Sequence, residues 1–488
     1  MNPLHHELKH LYEKVKQDTL IKNNEEDYWR LSYHVMPPIG WLNDPNGVMQ
    51  YDGVYHLYYQ YSPHNANGGL KYWGHQSSKD LVHFKDHGIV LYPDQPYDLH
   101  GVYSGTAFVE DGKVHYFYTG NVKHLGEHDY ITSGREQNTI YAISHDGGFT
   151  VEKVACVLHA SDYPKEFSQH IRDPKVFKYA GIYYMLLGAR DLNSQGQVIV
   201  YKSKDLIKWN YHGVFAGPID GLGYMWECPD YFEINDTALL IISPQGVESE
   251  GYAYQNIYQA GYLLGEFDDS KITFIAESQF IELDRGFDFY APQTFVDRKG
   301  RRILWGWMGL PDESGVITNP TVEKGWQHAM TLPRELTIEN GQLKQRPLPE
   351  YKMLRHDYFT DTLQLNGQYQ HEQLRGDVFE LIISIEHLEA DLEISLRQDT
   401  VLYYDQQNEL LHLKHGKSGY GRDQRTIELA ELHQLQIFSD RSSLEVFVND
   451  GDYVLTTRVY PDQGQDDITI NGSARLTIKK WMLKSLTS

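Results

Sequence analysis

The sequence predicts an all-β protein: a five-bladed β-propeller followed by a C-terminal β-sandwich. Three observations carry this reading. Between residues 41 and 310 short aromatic or aliphatic strands follow turn clusters, with almost no helical periodicity. Within that stretch the pattern recurs five times at a spacing of roughly 60 residues, the mark of a radial repeat. A separate run of alternating strands then fills residues 355–488. A long β-sandwich is the alternative for the first stretch.

Residues 1–33 read as an N-terminal helical segment. Leu4, Leu8, Leu11, Tyr12, Val15 and Leu20 recur at roughly helical spacing, so a short amphipathic helix is expected to dock on the body or cap it. The first twenty residues are polar and charged and lack the apolar core of a secretory signal, and no later stretch reads as a bilayer span. The expectation is a soluble, cytoplasmic protein.

The propeller is assigned to residues 34–345. It opens on Trp41-Leu42-Asn43-Asp44-Pro45-Asn46-Gly47. Pro45 fixes its own φ and biases Asp44 towards an extended backbone, and Gly47 permits close approach. A carboxylate on a stiff corner beside an indole suits a nucleophile; taken alone, the stretch reads first as an Asx turn capping a strand. Five turns then lead into strands: Tyr51-Asp52-Gly53, Asp111-Gly112-Lys113, Ala180-Gly181, Asn235-Asp236 and Lys299-Gly300. Before each turn stands another strand, introduced by Pro45, Gly105, Pro174, Pro229 and Pro292, at intervals of 60, 69, 55 and 63 residues.

In a propeller those introduced strands surround one axis, so the residues just ahead of them meet at one mouth of the channel. They are Asn43-Asp44, Tyr103-Ser104, Arg172-Asp173, Glu227-Cys228 and Tyr290-Ala291. Three acids, an arginine, an amide, a hydroxyl and a phenol form the inventory of a sugar hydrolase. On an alignment anchored at the introducers, Glu227 falls one residue ahead of Asp44 and Asp173. Side chains alternate along a strand, so either this strand bulges or Glu227 approaches differently.

Around residues 310–355 the repeat ends. Trp326 to Leu336 reads as a strand-turn segment and Arg346-Pro347-Leu348-Pro349 as a linker. In the sandwich, Val378 to Ile385 and Ser443 to Val448 alternate, and Asn449-Asp450-Gly451 is a hairpin turn. Its acids and histidines show no convergence, so its role is structural, with a lectin-like accessory role as the alternative.

The totals narrow the partners. A formal charge of −23 with no long basic block argues against nucleic acid and against an anionic membrane surface. Two cysteines, Cys156 and Cys228, make no disulfide framework and no zinc spacing. The 37 Tyr and nine Trp suit aromatic-lined strands and sugar-stacking surfaces. Oligomeric state is not legible.

Taken together, these motifs resemble glycoside hydrolase family 32, the invertase and fructanase family. Trp41 to Gly47 resembles its nucleophile signature, with Leu42 where Met is common; Arg172-Asp173-Pro174 its second acidic motif; Glu227-Cys228-Pro229 its acid/base motif. Tyr59-Gln60-Tyr61, Trp73-Gly74-His75, Phe289 to Gln293 and Asp440 to Glu445 add matches. The resemblance covers nearly everything after residue 34 and implies the same propeller and sandwich. It implies a retaining double displacement at a β-fructofuranosyl unit. Asp44 is then the nucleophile, Glu227 the acid/base and Asp173 the transition-state stabiliser, with a carboxyl separation of roughly 5–5.5 Å. Nearby acids and partial burial are expected to raise Glu227. Arg172 orients the acids, Asn43, Gln60 and Ser104 line the fructose subsite, and Trp73, Tyr290 and Trp307 contribute platform or pocket. Cys228 shapes the backbone. No metal or cofactor is implied; the partner is a small fructoside.

One departure is informative. Many members carry Trp eight residues after the Gln of Tyr-Gln-Tyr, where this chain has Gly68. The Gly68-Gly69-Leu70-Lys71-Tyr72-Trp73-Gly74-His75 form resembles the bacterial sucrose-6-phosphate hydrolase branch. Loss of an indole opens the site, and Lys71 offers charge to a phosphate, as does Arg135 at lower weight. The reading is hydrolysis of the fructosyl bond of sucrose 6-phosphate and sucrose. The alternatives are an exo-hydrolase of short fructo-oligosaccharides or inulin, and a non-catalytic fructan-binding protein.

Overall fold

Strands that are apolar on both faces must be covered on both, and radial stacking of sheets does this. The computed structural model describes residues 2–22, 27–311 and 317–486. It has five blades, each built on a four-strand antiparallel meander. Their inner strands are Gly40–Tyr51, Val102–Glu110, Phe167–Tyr179, Met225–Ile234 and Tyr290–Val296. They touch in cyclic order, the fifth closing on the first. Between blades lie apolar layers: Met49, Tyr58, Trp73 and Tyr116 between the first and second, Leu186, Val200, Trp226 and Leu240 between the third and fourth. Tyr118 and Tyr184 also lie in these layers.

The fifth blade is completed by Arg334–Glu339 and Gln342–Pro347, so blade structure runs into the stretch that reads as a linker. Trp326–Gln327 pairs in parallel with the first inner strand and ties the last blade to the first.

All five inner strands bulge at the same rung. Residues 42–45 span the interval from Tyr61 to Tyr59, 102–105 that from Gly120 to Tyr118, and 172–175 that from Gly188 to Leu186. Residues 227–230 and 290–293 repeat the pattern against Ser243–Ile241 and Trp307–Trp305. Each window places one extra residue against its neighbour. This corrects the alignment anchored at the introducers, which slips by one residue between the first two blades and the last three. By ladder register Asp44 and Ser104 share a level, and Arg172, Glu227 and Tyr290 share another. In the last three blades the second residue of the window is left-handed: Asp173 at φ 62°, Cys228 at 49° and Ala291 at 47°. Such conformations cost about 1–3 kcal/mol each and persist where surroundings impose them.

Nine strands from Arg355 to Leu483 form the second unit. The 18-residue strand Phe379–Leu396 pairs with Gln434–Asp440 along its first part, with Thr400–Asp405 along its last, and with Ile468–Leu483 on its other edge. The resulting sandwich closes around Leu381, Ile383, Leu392, Leu435, Leu444 and Ile478.

The N-terminal helix spans Pro3–Lys22. Its docking stripe differs from the expected one. Tyr12 is buried, with its ring edge-on to Tyr61, and His5, Leu8, Val15 and Thr19 are half-buried around it, whereas Leu4, Leu11 and Leu20 face outward. Polar contacts to the first blade, His5 to Asp94 and Lys16 to Asp86, set the rotation. Residue 1 and residues 23–26 of the expected N-terminal segment lie outside the described residues. Among the described residues no helix is long and apolar enough to cross a membrane.

A buried ionic chain joins the two units. His34, ahead of the first blade, contacts Asp440 at 2.8 Å and Glu445 at 3.1 Å, both in the sandwich. Glu445 also meets Arg334, which reaches Asp284 at 2.9 Å, and Asp284 accepts from Thr456. Burial works against a proton on His34, but the hydrogen bonds and charges of Asp440 and Glu445 outweigh it and push the imidazole up to about 9. Raised from its ordinary value of 6.5, this histidine stabilises the fold fully below that value and loses the contribution as pH climbs through about 9. The expected size is about 3 kcal/mol. Urea midpoints of the wild type and His34→Gln should therefore lie furthest apart near pH 6 and converge near pH 10. A gap independent of pH would contradict the protonated assignment.

Candidate active site

The bulges bring side chains from all five inner strands to one mouth, where three carboxylates meet. Asp44 is half-buried and accepts three hydrogen bonds. Asn43 Nδ2 reaches Oδ1 at 3.2 Å, while Gln60 Nε2 and Ser104 Oγ reach Oδ2 at 3.2 and 2.5 Å. These donors are themselves oriented. Trp41 Nε1 and Lys71 Nζ both donate to Asn43 Oδ1, at 3.1 and 3.0 Å, which turns the amide nitrogen towards Asp44 and Gln60. Burial and the charge of Glu227 push Asp44 above its ordinary value, against the Ser104 and Asn43 hydrogen bonds and the Lys71 charge.

Glu227 faces a different set. Its Oε1 accepts from Arg172 Nε and Nη2 at 2.9 and 2.7 Å, a two-point contact from the neighbouring blade. Its Oε2 accepts from the Tyr290 hydroxyl at 2.6 Å and from Gln245 Nε2 at 2.9 Å. Shared ladder level brings Arg172, Glu227 and Tyr290 together across three blades. Asp173 is buried below them, on its left-handed backbone. Its Oδ2 accepts from the Cys228 N–H at 3.0 Å, and its own N–H donates to Thr119 Oγ1. Burial and the charges of Glu227 and Asp44, opposed by Arg172 and the Cys228 N–H, push Asp173 up to about 7. Burial and the surrounding acids push the Cys228 thiol well above its ordinary range, so it is a backbone element and no thiolate.

Other expected positions fall in different places. Trp73 is fully buried in the layer between the first two blades, and its indole donates to the Tyr103 carbonyl at 3.0 Å. It supports the turn that carries Ser104 and faces no opening, which corrects its expected place in the pocket. Trp307 stands edge-on to both Trp41 and Tyr290, forming an aromatic wall with them. Lys71 lies over the Trp41 ring at 5.1 Å, in the mouth itself. Burial lowers it to about 8, against the pull of Asp44. A Cβ at Gly68 would come within 3.6 Å of Trp41 and 3.8 Å of Lys71 Nζ. These are ordinary contact distances, so a side chain there would lie against the indole and amine that border Asp44. Arg135 stands behind Arg172, separated from it by His170.

Sequence reasoning missed Gln245, Gln137, His170 and Thr119. They sit on second and third strands or upstream of a motif, and only the blade register brings them to the mouth. Among the described residues no cluster of three or more His, Cys, Asp or Glu is arranged to hold a metal ion.

Comparison with known proteins gives a consistent picture. The family model described as glycosyl hydrolases family 32 N-terminal domain matches residues 34–347, and that for the family 32 C terminal matches residues 350–482. A sucrose-6-phosphate hydrolase of Staphylococcus xylosus is 40% identical over 494 residues, covering 98% of this chain and 97% of that protein. One from Bacillus subtilis is 37% identical over 480 residues, covering 97% of each. The solved structure of sucrose-6-phosphate hydrolase from Lactobacillus gasseri superposes with a TM-score of 0.87 at 32% identity, over 97% of this chain and 96% of that one.

If the Asp44 donors are a preorganised set, Gln60→Ala should disturb both Asn43 and Ser104 and cost about 10²-fold in kcat, with little change in thermal midpoint. Steady-state kinetics alongside a melting curve checks this. A large stability loss with intact kcat would make Gln60 a packing residue.

Proposed function

The chain belongs to glycosyl hydrolase family 32, and from that premise we infer a retaining β-fructofuranosidase that hydrolyses the fructosyl bond of sucrose 6-phosphate and sucrose. The observation that carries the mechanism is the pair of unlike carboxylates. Asp44, lined by three fixed neutral donors and no direct cation contact, attacks the anomeric carbon and forms a fructosyl ester. Glu227, held by Arg172 on one oxygen, protonates the departing glycosyl oxygen and then takes the proton from the water that cleaves the ester. Asp173, buried beneath, accepts from fructose hydroxyls and follows the charge that develops in the transition state. Asn43, Gln60 and Ser104 hold Asp44 in line. Trp41, Trp307 and Tyr290 wall the sugar, the last with its hydroxyl on Glu227. The chemistry requires only carboxylates and water.

Lys71 supports phosphate recognition. It is a single ammonium beside the fructoside mouth, in the space that Gly68 leaves free. A sugar phosphate arriving there gains a charge-assisted hydrogen bond, and Arg135, screened by His170, is the weaker candidate. A phosphorylated substrate fits a cytoplasmic enzyme, since phosphosugars are held inside the cell.

Two outcomes follow. In kcat/KM, which reports formation of the ester, Glu227→Gln should lose about 10²–10⁴-fold on sucrose and much less on a fructoside with an activated leaving group. Equal losses on both would remove its acid role. Lys71→Met should lower kcat/KM for sucrose 6-phosphate relative to sucrose by about 10- to 100-fold, the worth of a hydrogen bond to a charged group. In the wild type that preference should fade as pH rises through about 8, where the free enzyme's amine loses its charge. An unchanged ratio in Lys71→Met would place the phosphate elsewhere.

A further inference from the structure

We propose that His170 is a positioning residue for the acid/base group, acting through Arg172. This rests on the assignment of Glu227 as acid/base. His170 and Arg172 lie two residues apart on the inner strand of the third blade, and their side chains meet there. All three nitrogens of the Arg172 guanidinium are engaged, through four of its five N–H groups. Nε and Nη2 hold Glu227 Oε1, and Nη1 is held from behind by Gln137 Oε1 at 3.1 Å and His170 Nδ1 at 2.9 Å.

The tautomer of His170 follows from its other contact. Nε2 lies 2.9 Å from the Tyr130 carbonyl, which only accepts, so Nε2 carries the proton and Nδ1 presents a lone pair to Arg172. Arg135 Nη1, 3.2 Å from Nε2, then meets an N–H and contributes charge without a hydrogen bond. Burial and the two guanidiniums, Arg172 before Arg135, push the imidazole down to about 3, so the ring is a neutral acceptor throughout the working range.

Neutrality is the functional point. Glu227 gains and loses a proton in every turnover, so its contact with Arg172 alternates between an ion pair and a weaker hydrogen bond. A carboxylate behind Arg172 would compete for the guanidinium whenever Glu227 was protonated and would draw it away. Two uncharged acceptors, Gln137 and His170, hold Nη1 with the same strength in both halves of the cycle. The guanidinium therefore stays in place while the charge on Glu227 changes. Gln137 comes from the second blade and His170 from the third, so the hold also locks the two blades at the mouth.

The test compares wild type, His170→Ala, His170→Asn and Glu227→Gln on sucrose and on para-nitrophenyl β-fructofuranoside. Asparagine offers an oxygen near the place of Nδ1. The expected result for His170→Ala is a fall of about 10- to 100-fold in kcat on sucrose. Its KM on sucrose should stay close to wild type and its loss on the aryl fructoside should be clearly smaller, with His170→Asn recovering most of kcat on sucrose. Urea midpoints separate this from unfolding. Three results would overturn the proposal: equal losses on the two substrates, full activity in His170→Ala, or no recovery in a folded His170→Asn. If Glu227→Gln itself showed no dependence on leaving group, the acid/base assignment would fall and His170 with it. Leaving-group dependence in Glu227→Gln without it in His170→Ala would reject His170 alone.

Discussion

One extra residue at the same rung of five inner strands is the constraint on which the mouth depends. Without it, alternation would send every second of these side chains into the inter-blade layers. With it, each inner strand turns a pair of neighbouring residues outward near the axis and then resumes its pleat. The ladder of every blade is interrupted there once, and the left-handed residues of the last three blades carry the strain. Hydrogen bonds from the same and from neighbouring blades, given by side chains and by one backbone N–H, grip the bulges. Ser104 and Gln60 hold Asp44, Arg172 holds Glu227, and the Cys228 N–H holds Asp173.

The same register gives the two carboxylates different neighbours, which is what the proposed division of work between them rests on. In the first two blades the shared level carries Asp44 and Ser104, an acid beside a hydroxyl. In the third to fifth it carries Arg172, Glu227 and Tyr290, an acid between a cation and a phenol. A carboxylate approached by neutral donors keeps a lone pair for carbon. One flanked by a guanidinium and a phenol has partners through which gain and loss of a proton can be accommodated. Beneath both, the chain from His34 through Glu445 to Arg334 and Asp284 fixes the propeller against the sandwich.

Most of the fold was legible because its signals are local. Turn clusters and apolar strands repeat at near-constant spacing, and Asp44, Asp173 and Glu227 stand in short motifs beside prolines. What was not legible depends on register. The prolines of the last three blades occupy the third position of the bulge, whereas Pro45 and Gly105 occupy the fourth, and no local cue separates these cases. Trp73 illustrates a second limit: an indole next to a motif reads as pocket, but strand pairing sends it into the layer below. His170 and Gln245 carry no motif of their own. The outward leucines of the N-terminal helix show that spacing alone does not choose which face docks when both carry apolar residues.

In the proposed mechanism Asp44 takes the fructosyl group. The most direct measurement is rapid acid quench of Glu227→Gln during turnover of para-nitrophenyl β-fructofuranoside, followed by peptide mapping by mass spectrometry. An activated leaving group speeds formation of the ester and the missing base slows its hydrolysis, so the intermediate accumulates. One anhydrofructose unit is expected on the peptide that contains Asp44, absent when Asp44→Asn is added. The adduct on another residue, or fructose released at full rate by Asp44→Asn, would contradict that mechanism.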